Sequence, residues 1–84
     1  MITWPASDKL SKTAVGTLER FKKTAAAKEL EQDARAWSFI SWAWLPEAPY
    51  AFTLRSADHE ERQYVVEGDG RWQMKVLHPA RNVA

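Results

Sequence analysis

His59 and His78 are the two residues most readily turned to metal or acid–base chemistry. A zinc site takes nitrogen, sulfur and carboxylate ligands, usually at short repeated spacings. These histidines lie far apart in the chain, and there is no cysteine to complete a set. Asp58, Glu60 and Glu61 surround His59 and read as a solvated, charged turn. Neither a metal nor a cofactor is expected. The serines at 7, 11, 38, 41 and 56 all lack the glycine-framed context of a nucleophile elbow. Glu60 and Glu61 are adjacent carboxylates, with nothing in the sequence to push their pKa values apart for acid–base work. Gly68-Asp69-Gly70 has neither the longer glycine fingerprint of a phosphate loop nor a helical pattern after it, so it reads as a hairpin turn. A chain of 84 residues also has little volume for a substrate pocket of several hundred Å³. The sequence therefore predicts a protein that is not an enzyme.

What remains is surface recognition. The chain carries five Trp, two Tyr and three Phe. Tryptophan, tyrosine and arginine are the residues most enriched at protein–protein hot spots. Trp4, Trp42 and Trp44 are the expected apolar anchors, with Arg55, Arg71 and Lys75 as a polar rim. The implied function is a small non-enzymatic protein-binding module, such as a regulator, inhibitor or adaptor. A homodimer through the helices or the aromatic strand fits the same pattern. The alternative is nucleic-acid binding through Lys9, Lys12, Lys22 and Lys23, or through the polar sheet face. A net charge of +1 argues against it, because polyanion-binding domains are usually strongly basic.

Length and composition set the frame. Eighty-four residues imply one domain, spanning 1–84, with a core small enough that its stability is marginal. Small secreted domains usually rely on disulfides, so the absence of cysteine points to a reducing compartment, most simply the cytoplasm. Met1-Ile2-Thr3-Trp4-Pro5 has no basic stretch followed by an apolar run, so no signal peptide is expected. The densest apolar run, Ala36 to Leu45, is too short to cross a membrane.

The elements that must position these residues follow from periodicity. Ser7 or Asp8 can cap a helix just after Pro5. Leu10, Ala14, Leu18, Phe21 and Ala25 then fall within about 80° at about 100° per residue. A second stripe, Ala26, Ala27, Leu30, Ala34 and Trp37, is centred about 170° away. A single helix from Ser7 to Ala36 would be about 45 Å long, against a radius of gyration of about 12 Å for a compact domain of this size. Two helices with a break and a new cap at Thr24 are preferred, and one long dimerising helix is the rival.

Trp37 to Leu45 is rich in aromatic and β-branched residues and predicts a strand. Strict alternation puts Ile40, Trp42 and Trp44 on one face and Trp37, Phe39 and Leu45 on the other, with Pro46 and Pro49 ending it in a turn. Three more strands follow at Tyr50–Ser56, Arg62–Glu67 and Arg71–Leu77. Phe52, Leu54, Tyr64, Val66, Trp72, Met74 and Val76 are expected to face the core. Thr53, Arg55, Gln63, Val65, Glu67, Arg71, Gln73 and Lys75 are expected to face outward. The predicted fold is α+β: an N-terminal helix or helix pair packed on a three- to four-stranded antiparallel β-meander. The helical part spans 7–36, the meander 37–78 and a loose tail 79–84.

Overall fold

The computed structural model describes residues 1–45 and 48–80. For Ser7, Trp44, Leu45 and residues 48–50 it describes the backbone alone. The chain is α+β, with two helices and a five-stranded mixed sheet: β1 (Ile2–Thr3), α1 (Lys12–Lys22), α2 (Ala25–Gln32), β2 (Trp37–Leu45), β3 (Ala48–Ser56), β4 (Glu61–Val66) and β5 (Trp72–His78). The strands lie side by side in chain order. This corrects the expectation of a three- to four-stranded antiparallel meander. β2 to β5 are antiparallel, but β1 adds a fifth strand that runs parallel to β2. Parallel neighbours need a long crossover, and the two helices provide it. A two-residue strand shows no period, so it left no trace in the hydropathy pattern.

The helix break is at Thr24, whose hydroxyl accepts from the Ala27 N–H at 3.3 Å. The start of α1 differs from expectation. Ser7–Lys9 form a short 3₁₀ turn, and the cap of α1 is Ser11, whose Oγ accepts from the Ala14 N–H at 3.2 Å. The helices end at Gln32, before the predicted limit at residue 36. Ala14, Leu18 and Phe21 from the first stripe and Ala26, Ala27 and Leu30 from the second are buried. Two short helices at an angle let opposed stripes face one core. Phe21 is the point of contact with the sheet. Its ring lies 5.0 Å from Phe52, 4.8 Å from Tyr64 and 5.9 Å from Trp4.

Strand β2 does not alternate strictly. Phe39 pairs with Leu54 but Ser41 pairs with Thr53, so Ile40 is an extra residue on β2. This bulge resets the faces. Phe39 and Trp42 share the helix-facing side, with ring centroids 5.0 Å apart, and both pack against Phe52. The expected grouping of Ile40 with Trp42 against Phe39 is therefore wrong, because period-2 reasoning has no place for an inserted residue. Pro49 belongs to β3 rather than to a turn. It lies past the last β3–β4 pair, Tyr50 with Val66, so its missing N–H interrupts no ladder there. Pro46 lies outside the described residues.

Trp37 is fully buried and held by charge. The Arg35 and Arg62 guanidinium carbons lie 5.0 and 4.8 Å from its ring centroid, and its indole N–H donates to Asp33 at 3.3 Å. Glu60 bridges the two arginines, at 2.8 Å from Arg35 and 2.5 Å from Arg62. Arg35 also pairs with Asp33 and Asp58. The cluster ties the end of α2 to the start of β2 and to the β3–β4 turn. Hydrogen bonds from the Arg35 side chain and backbone hold the Asp33 carboxyl well below the usual carboxylate range. Burial pushes Glu60 up, but hydrogen bonds from Arg35 and Arg62 outweigh it and its carboxyl also titrates low.

The sign of the pH effect follows. A carboxyl whose folded pKa is lowered contributes stability above its unfolded pKa, near pH 4, and loses it as pH falls through the folded value. Denaturant midpoints should therefore drop steadily as pH is lowered from about 5 toward 2. Arg35→Met should flatten that slope and lower stability at pH 7 by about 1–3 kcal/mol, from lost ion pairs and ring stacking. An unchanged slope in the variant would refute the role of the cluster.

Candidate protein-binding edge

Strand β5 starts from a tightly specified turn. Gly70 sits at φ +92°, in the left-handed region that glycine enters without strain. Asp69 accepts from the Arg71 N–H at 3.0 Å and from Arg71 Nε at 2.7 Å, and Glu67 stands 3.3 Å from the same guanidinium. The Arg71 N–H, then the guanidinium, hold the Asp69 carboxyl below its ordinary value. The Glu67 N–H donates to the Arg71 carbonyl at 2.8 Å. The register of β5 on β4 is thereby fixed, with Val66 opposite Trp72, Tyr64 opposite Met74 and Arg62 opposite Val76.

That register decides which backbone groups are free. Antiparallel pairs alternate between those that exchange hydrogen bonds and those that do not. The Glu67–Arg71 bond sets the phase. The N–H and C=O groups of Gln73 and Lys75 point to β4, and those of Trp72, Met74 and Val76 point away from it. No further strand lies beside β5 among the described residues. All seven of its residues are exposed.

The side chains of Trp72, Met74 and Val76 share the face on which Phe52, Leu54, Tyr64 and Val66 form the core. The sequence placed them in that core. The structure keeps the face and corrects the burial: Trp72 is 39% exposed, Met74 42% and Val76 47%. The physical reason is reach. Helix α1 seats on β3 and β4, and two short helices leave the outermost strand uncovered. Trp72 meets the core beside Val66, its partner across the ladder, and at Tyr64, 6.2 Å away between rings. Beside it Arg20, Lys23 and Thr24 of the helix layer and the 68–70 turn line an open hollow of about 410 Å³.

The other predicted site residues are distributed as follows. Trp4 and Trp42 are half-buried and both pack on Phe52, at 6.3 and 5.9 Å. Lys22 Nζ covers Trp4 at 5.3 Å. The Trp44 side chain lies outside the described residues. Arg55 is on the sheet face away from the helices, paired with Glu61 at 3.3 Å. Arg71 and Lys75 lie along the β5 edge, on the sheet face opposite to Trp72, two strands away from Trp42's partner Phe52. The predicted anchors and rim therefore do not form one surface. The tryptophan on the same strand as Lys75 is Trp72, which projects from the other face. A usable signal was present in the sequence: the last strand of a meander lies at its edge, and this one alternates apolar and polar residues as a half-exposed strand does.

Lys9, Lys12, Lys22 and Lys23 are all exposed. Lys12 and Lys22 stand at opposite ends of α1, about 15 Å apart along its axis. His59, at φ 71°, and His78 come to one hollow with Arg55 and Glu61, where His78 Nε2 is 3.7 Å from Glu61. No group of three potential metal ligands forms among the described residues. No helix among them is long and apolar enough to cross a membrane. Comparison of the chain with protein-family models, curated proteins and solved structures finds no match.

The burial difference gives a direct expectation. Phe52→Ala and Trp37→Ala should each cost about 3–5 kcal/mol, as buried aromatics do. Trp72→Ser and Met74→Ser should each cost about 1 kcal/mol or less, as half-exposed positions do. Urea unfolding at pH 7 measures all four. A loss at Trp72 as large as that at Phe52 would show that β5 is covered.

Proposed function

We propose that this chain is a non-enzymatic protein-binding module that recognises its partner by strand addition at β5, with Trp72 as the aromatic anchor. The observation that carries the reading is the coincidence, at Trp72, Met74 and Val76, of outward-pointing backbone groups and exposed apolar side chains. Strand addition uses both: main-chain hydrogen bonds provide affinity, and alternate side chains provide selectivity. An unpaired edge of this kind attracts another chain unless it is blunted. Arg71 and Lys75 lie on the opposite sheet face and would offer polar contacts beside the added strand. The recognition is apolar and main-chain in character, so it differs from phosphate binding in its response to salt.

Extended peptides displayed in random sequence and selected on the immobilised protein test this. Selected peptides should alternate apolar residues. Their affinity should change little between about 0.05 and 0.2 M salt, where phosphate-driven binding falls steeply. Met74→Pro removes an outward N–H while leaving the ladder to β4 intact, and it should weaken peptide binding at least about tenfold. Lys12→Ala should leave binding unchanged. Failure to select any peptide, or binding indifferent to Met74→Pro in a variant with native circular dichroism, would overturn the proposal.

A further inference from the structure

We infer that the strand added at β5 is the β5 of a second copy of this chain, antiparallel to it across a two-fold axis through Met74. This rests on the strand-addition reading and names its partner. A two-fold pair of identical strands must keep apolar side chains on the same face, because a shift of one residue turns them to the other side. The axis must then pass through a residue, and within the strand that residue is Gln73, Met74 or Lys75.

Charge selects among the three. An axis at Lys75 sets that lysine against its own copy. An axis at Gln73 sets Arg71 of one copy against Lys75 of the other. Like charges directly opposite are destabilising in a sheet. An axis at Met74 opposes Trp72 to Val76, Met74 to Met74, and Gln73 to Lys75, so no like charges meet. The same register pairs every outward N–H and C=O of Trp72, Met74 and Val76 with a group on the copy, given the phase fixed by the Glu67–Arg71 bond. A large ring meets a small branched side chain at each end, and the two methionines, the most adaptable of apolar side chains, meet at the centre. The net charge of +1 on each copy offers little long-range repulsion to association. The product is one continuous sheet through both copies, with the helices of each on the same side.

The chain has no cysteine, so a single introduced thiol reports the register cleanly. Across the axis the two residue-74 Cα atoms would stand about 5.5 Å apart, within the span of a disulfide. Residue 72 and its copy would be about 14 Å apart, as would residue 76 and its copy, beyond that span. Under oxidised glutathione, Met74→Cys should form a covalent dimer at least about tenfold faster than Trp72→Cys or Val76→Cys. In sedimentation equilibrium the unmodified chain should dimerise. Gln73→Glu should tighten the dimer about threefold by facing Lys75 of the copy, and Met74→Pro should be monomeric with native circular dichroism. A chain monomeric up to about 1 mM, or one whose three cysteine variants cross-link equally fast, would overturn the inference. If the monomer still binds peptides at an edge sensitive to Met74→Pro, the partner is a different protein and strand addition stands. If that binding is absent too, both fail.

Discussion

The contact of Phe21 with Phe52 and Tyr64 determines where the helix layer lies. Phe21 is the last apolar residue of the α1 stripe and is fully buried. Its ring sits at the junction of β3 and β4 and draws Trp4 in at its edge. Edge-on aromatic contacts, such as those of Phe21 with Phe52 and Trp4, add to plain area burial. In a domain without disulfides they supply much of the core's cohesion. They also have a geometric consequence. A helix centred on β3 and β4, followed by a second helix that leads back to β2, leaves the β5 side chains exposed among the described residues. The uncovered strand follows from the position of the core.

Trp37 is the second fixed point, and it is secured differently. It lies where α2 hands over to β2, beside the β3–β4 turn, where three segments must be joined without a helix to cover them. Two guanidinium groups stack on the ring, and carboxylates from Asp33, Asp58 and Glu60 neutralise them. Arginine suits this role because its planar head stacks and pairs at once. The bulge at Ile40 then turns Trp42 onto the core face, so β2 directs Trp37, Phe39 and Trp42 to the helix side.

Much of this was legible in the letters. The opposed helical stripes and Thr24 predict two helices with a break, and Gly68-Asp69-Gly70 predicts the last hairpin. The alternation in β3 and β4 names Phe52, Leu54, Tyr64 and Val66 as core. What was not legible has physical causes. β1 is too short to show a period and is defined only by its pairing with β2. The Ile40 bulge is a register property of two strands together, so one strand's sequence cannot reveal it. The exposure of Trp72, Met74 and Val76 depends on how far the helices reach, which periodicity does not encode. This last gap moved the candidate site. The sequence pointed to a surplus of aromatic surface and placed it at Trp4, Trp42 and Trp44. Of the described tryptophans, Trp4 and Trp42 are spent on packing against Phe52, and the surplus lies on the outermost strand.

Hydrogen exchange of the β5 amides at low protein concentration tests the central claim, a strand bonded on one side and open on the other, most directly. The expected pattern alternates, with Gln73 and Lys75 protected by β4 and Trp72, Met74 and Val76 exchanging near the unprotected rate. Uniform protection across all five amides in the dilute chain would contradict it, because something within the chain itself would then be covering the edge.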